Sequence, residues 1–201
     1  MRKRSSVLAV SAMAALLTAP TAALAAANSP AAAPAVASAS GTKTLSFRGM
    51  NLKIPTTWKV YDYTDRVLVA TGSCKVPEPF APNCRGFWLY GPKVIAYGAE
   101  GSRYTGAKPF VPASGAPAGC PFEYGSIQVI GKATSTGLRQ VGRGHKARYT
   151  AWAGRCVKQQ SGRQTKSFIQ REWFLPESKI VVVDVWGDQK LPGLLRNATW
   201  G

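Results

Sequence analysis

His145 is the only histidine in the chain, and it lies between Gly144 and Lys146 in a strongly basic stretch. A serine hydrolase would need it to converge with a serine and a carboxylate such as Asp184. No G-x-S-x-G elbow is present, and neighbouring cations oppose protonation of the imidazole. Hydrolysis of a polymer would instead use a pair of carboxylates. Glu100, Glu123, Glu172, Asp184 and Asp188 are available, and no spacing singles out two of them. Asp184 interrupts an apolar run beside Trp186, so a carboxylate buried there needs a partner, for which Arg171 or Lys146 would serve. P-loop, dinucleotide and calcium-loop signatures are absent. The residues assign no catalytic group, no metal and no cofactor.

Charge carries more information. The chain has 26 Lys plus Arg against 9 Asp plus Glu. Without Arg2, Lys3 and Arg4 the balance is 23 against 9, or +14. No acidic residue lies between Glu123 and Glu172, a window holding Lys132, Arg139, Arg143, Lys146, Arg148, Arg155, Lys158, Arg163, Lys166 and Arg171. Such a field attracts polyanions in a salt-dependent manner; it also keeps a protein dispersed. Rings beside cations can stack sugars or grip a polymer. On an alternating strand Trp152 shares a face with Lys146 and Arg148. Lys146, Arg148, Trp152 and Arg155 are therefore the expected binding patch. No helix-turn-helix, zinc-finger or RNP pattern points to sequence-specific recognition of nucleic acid.

The compartment follows from the first residues. Arg2-Lys3-Arg4, an apolar run over 7–17 broken only by Ser11, and Ala23-Leu24-Ala25 match a secretory signal peptide spanning 1–25. The apolar run is too short to cross a bilayer. Residues 26–42 are mostly Ala, Pro, Ser and Gly and cannot offset their ordering entropy, so they read as a disordered linker. Residues 43–201 then form one domain large enough for a real core. The mature protein is expected outside the cell, free or associated with the wall, with no integral membrane association. Cys74, Cys84, Cys120 and Cys156 form an even set, which in an exported chain reads as disulfides. Cys74–Cys84 and Cys120–Cys156 are the favoured pairs, the first closing a loop stiffened by Pro77, Pro79 and Pro82. Zinc would need C-x-x-C spacing or more histidine than His145 provides.

The elements that position these residues read as strands. Runs at 45–47, 52–54, 66–70, 86–90 and 94–97 are aromatic or β-branched and bounded by Gly or Pro. Longer runs follow at 126–132, 146–154, 167–175 and 180–186. The last three make an antiparallel meander that turns at 161–163 and 176–178. Residues 180–185 are apolar on both faces, as in an interior strand. Helix is expected at 191–198 and, after Pro55, over 56–62. Pro55 should end a strand, with Trp58 folding back over the core edge. Residues 104–120 are rich in Pro, Gly and Ala and read as a mobile surface loop pinned by Cys120. The fold class is mainly β: an antiparallel sheet or meander with a short C-terminal helix and two disulfides.

The segment Phe47-Arg48-Gly49-Met50-Asn51-Leu52-Lys53-Ile54-Pro55-Thr56-Thr57-Trp58 resembles the opening of many small secreted actinobacterial proteins of unknown function. In those, a strand after F-x-G ends in P-x-x-W, and paired cysteines follow. The order of 142–156, 167–175, 180–186 and a short terminal segment is similar to the meander of PsbP-like α+β domains. The first resemblance implies a secreted protein and the second an α+β variant of the fold; neither implies catalytic residues.

Together these residues favour binding over catalysis, with an anionic wall polymer or polysaccharide as the expected partner. Two rivals have their own signatures. A cell-envelope hydrolase using Asp184 or Glu172 requires two carboxylates together in a groove. A protein-interaction or inhibitor module would dock through an exposed, rigid loop at 104–120.

Overall fold

The computed structural model describes residues 41–74, 84–112 and 117–201. The signal peptide 1–25, the linker 26–42 apart from its last two residues, and Pro77, Pro79 and Pro82 lie outside the described residues. The chain opens with a hairpin of β1 (Thr42–Phe47) and β2 (Met50–Pro55). Arg48 and Gly49 turn between them with φ of 53° and 83°. Positive φ at both positions is the type I′ geometry that matches the strand twist, which is why Gly follows Arg there. Pro55 ends β2, and Trp58 is buried edge-on to Phe87 at 6.1 Å.

Two local expectations fail. Residues 56–62 form no helix: Trp58 N–H donates to the Pro55 carbonyl, and the chain turns directly into β3 (Lys59–Tyr63). Val60, Tyr61 and Tyr63 suit a ladder better than a helix. Residues 94–97 form no strand. After β4 (Arg66–Ala70) and β5 (Gly86–Tyr90), Pro92 instead opens α1 (Pro92–Ile95). The Asp65 carboxylate accepts the N–H groups of Lys93 at 2.6 Å and Val94 at 3.1 Å, capping the turn from 28 residues away. That partner is invisible to a local reading.

The second half is built on long strands. β6 (Ser126–Gln140), β7 (Lys146–Lys158) and β8 (Gln164–Leu175) form an antiparallel ribbon, and β8 returns into β9 (Ile180–Asp184). α2 (Leu191–Arg196) and β10 (Thr199–Trp200) complete the described elements. Among the described residues the strands form two antiparallel sheets, ordered β1-β2-β10 and β3-β4-β5-β9-β8-β7-β6.

The large sheet is covered on both faces, and β9 shows why its sequence is apolar throughout. Ile180 and Val182 pack with Met50, Leu52, Ile54, Phe87, Leu89 and Trp173, under the small sheet and α2. Val181 and Val183 pack on the other face with Tyr90, Val94, Ile95, Tyr104, Phe110 and Phe174. Each such aliphatic side chain contributes about 1.5–3 kcal/mol by leaving water. The segment around Tyr104 and Phe110 is thus not the surface loop expected from its composition: Tyr104 and Phe110 are each 2% exposed. Both favoured disulfides are present, Cys74–Cys84 and Cys120–Cys156. The second spans 36 residues, for which chain entropy alone gives about 4 kcal/mol. It also fixes Phe122 against Phe168 and Trp186 at one end of the ribbon.

Candidate functional site: an arginine groove over paired aromatic rings

The register of β7 with β8 sets Tyr149 opposite Trp173, and their ring centroids are 5.1 Å apart. Trp173 is buried and Tyr149 half-buried above the main core. Arg139 reaches from β6 over the Tyr149 ring at 4.8 Å, and Arg171 lies over Trp173 at 5.5 Å. Arg196, at the end of α2, joins them around a cavity of about 220 Å³ that Ser135, Gln140 and Pro192 also line. Among the described residues no carboxylate lines this cavity.

The three guanidinium groups are held differently. Arg171 is locked: its Nε donates to Asp184 Oδ2 at 2.9 Å, and its Nη2 donates to the same oxygen and to the Asp188 carbonyl at 2.6 Å. Among the described residues its Nη1 has no acceptor, so that edge is open to a ligand. Asp184 is fully buried, and its Oδ1 accepts the N–H groups of Trp186 at 2.8 Å and Gly187 at 3.0 Å. Asp188 Oδ1 in turn accepts the N–H groups of Lys190 and Leu191 and so sets the start of α2. This chain of contacts runs from Arg171 through Asp184 and Asp188 to the helix that carries Arg196. Arg139 and Arg196 are exposed and form no salt bridge among the described residues. Planar, always-charged forks of this kind suit oxyanions, which they bind through two parallel N–H groups.

The opposite face of β8 carries a further buried acid, Glu172, which is 0% exposed. Its partners are neutral: Tyr104 O–H donates at 2.5 Å, Phe110 N–H at 2.6 Å and Gln170 Nε2 at 2.7 Å. Gln170 also donates to the Phe110 carbonyl at 2.8 Å, closing the segment onto the sheet. The Trp152 indole N–H falls outside hydrogen-bonding geometry, yet lies near enough to favour the charged carboxylate. Burial dominates these contacts and raises the Glu172 pKa above the usual carboxylate range. Burial and the neighbouring Glu172 charge likewise raise the Tyr104 phenol.

This geometry separates the patch expected from the sequence. Lys146 and Arg148 are exposed on one face of β7, and Arg155 is exposed on the other, by strand alternation. Trp152 is on the Lys146 face as expected but is 7% exposed, a correction to its reading as a surface ring. It lies opposite Gln170, where the segment through Phe110 lies over the sheet. The two carboxylates considered for hydrolysis do not meet either. Arg171 pairs with Asp184 across the ladder and Glu172 with Val183, so Glu172 and Asp184 point to opposite faces. His145 stacks on Trp200 at 3.9 Å, with Nδ1 3.2 Å from the Arg143 carbonyl.

Arg139 and Arg171 belong to the basic window, and the Arg171–Asp184 pair is one of the two partnerships expected. Tyr149, Trp173 and Arg196 were not singled out. The meander and the 176–178 turn fix which β8 residue faces Tyr149, so that much was recoverable from alternation. The approach of Arg196 depends on α2, whose position no local pattern sets. Among the described residues no cluster of His, Cys, Asp and Glu is arranged to hold a metal, and no helix is long and apolar enough to cross a membrane. No protein-family model, curated protein or solved structure matches the chain.

Proposed function

We propose that this chain is an exported, non-catalytic binding module for an anionic envelope or extracellular polymer. The observation that carries the proposal is the cavity ringed by Arg139, Arg171 and Arg196 over Tyr149 and Trp173, with no carboxylate among the described residues of its lining. Arg171 is held by Asp184 and so presents one edge at little entropic cost, while Arg139 and Arg196 form no salt bridge among the described residues and supply open charge. By strand alternation Arg155 extends the field on the Tyr149 face of β7, while Lys132, Arg143, Lys146 and Arg148 add exposed charge elsewhere on the surface. Export rests on the 1–25 signal pattern, with which the two disulfides agree. The F-x-G…P-x-x-W opening accords with secreted actinobacterial proteins.

Asp184 and Glu172 do not form the carboxylate pair the hydrolase reading needs: both are buried, hydrogen-bonded and on opposite faces of the sheet. The test is partition of the protein onto immobilised cell-wall polymer at low and high salt, with a neutral glucan as control. Retention at low salt, release at high salt and no retention on the glucan support the proposal. Equal retention on both matrices, or none on the wall polymer, overturns it.

A further inference from the structure

Next to the arginine cavity lies a second one of about 390 Å³, and Gln140 lines both. Its character is different. Its lining includes Lys146, Glu177, His145 and Ser178, so it offers one cation, one anion, hydrogen-bonding groups and a flat ring. The His145 ring is held in place by its stack on Trp200, whose Nε1 donates to the Val141 carbonyl at 2.9 Å. Gly142 makes this closeness possible. Its φ is +68°, and a Cβ there would meet the Ala198 carbonyl oxygen at 2.3 Å. The second cavity is therefore built at the junction of the β6–β7 and β8–β9 turns with the C-terminal strand.

An all-cationic cavity beside a mixed polar one fits a ligand whose charge is not uniform. A polyphosphate or nucleic-acid strand would set a negative charge beside Glu177, which repels it. A chain that alternates an acidic sugar with a neutral, hydroxyl-bearing sugar has no such conflict. Its carboxylate or sulfate suits the guanidinium forks, and its uncharged unit suits hydroxyl contacts to Glu177, Gln140 and Ser178. We infer that the two cavities are consecutive subsites for an acidic polysaccharide, with the anionic unit at Arg139, Arg171 and Arg196 and the neutral unit at Lys146, Glu177 and His145. This rests on the anionic-polymer proposal and deepens it by naming the ligand class and its minimum length of two units.

The experiment compares glucuronate alone, a hyaluronan tetrasaccharide and a polyphosphate of matched charge, by calorimetry at fixed salt. The proteins are the mature chain, Arg139→Ser/Arg196→Ser and Glu177→Gln/Ser178→Ala. All four positions lie on the surface or its margin, and thermal melting checks that each variant folds. The tetrasaccharide is expected to bind at least about tenfold more tightly than glucuronate, by the gain from linking two contacts. The Glu177→Gln/Ser178→Ala variant should lose that gain while its affinity for glucuronate stays unchanged, and the arginine variant should lose both. Equal affinity for tetrasaccharide and glucuronate, or a gain that survives in the Glu177→Gln/Ser178→Ala variant, overturns the two-subsite inference and leaves polymer binding standing. Tighter binding of polyphosphate than of the tetrasaccharide overturns the ligand class alone. Failure of the unmodified chain to bind any of the three overturns the polymer proposal as well.

Discussion

The two faces of β8 solve the same problem in opposite ways. Each covers a fully buried carboxylate, Asp184 on one side and Glu172 on the other. Asp184 is neutralised by a whole cation, and Arg171 then has donors left over to turn outward. Glu172 is held only by neutral donors, and the two from the Tyr104–Phe110 segment draw that segment down onto the sheet. The ion pair leaves an open, cationic groove; the neutral network makes a sealed face. A buried acid therefore leaves charge at the surface here only where its partner still reaches solvent.

The largest effect should come from breaking the ion pair. Arg171→Met strands Asp184 without its cation and is expected to cost about 3–5 kcal/mol, measured by urea unfolding. Arg171→Met combined with Asp184→Leu should recover only part of that loss: no charge is stranded, but the Trp186 and Gly187 N–H groups lose their acceptor. On the sealed face Tyr104→Phe removes one neutral donor and should cost less, about 1–3 kcal/mol. A change as large as that of Arg171→Met would mean that the two networks are equivalent, against the contrast drawn above.

Acidity separates the faces further. The Glu172 pKa is raised in the folded protein by burial, from a usual value of 4.5. Above that value the unfolded chain has lost its proton while the folded chain still holds it, so stability falls as pH rises toward the folded pKa. Below it the two states bind alike and the slope vanishes. Glu172→Gln should abolish this fall, read as a flatter dependence of unfolding free energy on pH than in the unmodified chain. An unaltered profile would remove Glu172 as its source. The smallest effect on stability is expected for Arg139→Ser and Arg196→Ser, each within about 0.5 kcal/mol because their side chains are exposed.

What the sequence made legible was whatever depends on alternation, punctuation or pairing close in the chain. The meander, the doubly apolar β9, the Trp58 fold-back, both disulfides and the Arg171–Asp184 partnership are of that kind. What it concealed depends on contacts from far away. Val94 and Ile95 have strand propensity, but Asp65 supplies the cap that makes them helical. Residues 104–111 have loop composition, but Phe110 and Tyr104 fill a gap over Glu172 that exists only once the sheet has formed. Trp152 alternates correctly with Lys146 and Arg148, yet alternation assigns a face without saying what covers it. The same limit hid Arg196, whose approach to Arg139 depends on the placement of α2 through Asp188.

The most direct test of the groove is the salt dependence of binding to an acidic polysaccharide, compared between the unmodified chain and Arg139→Ser/Arg196→Ser. Each cation that contacts the polymer should contribute about one to the slope of log K against log salt, by release of counterions. A shallower slope by about two, together with weaker binding and unchanged stability, is the predicted result. Identical slope and affinity in the two proteins would contradict it and place any polymer contact outside the groove.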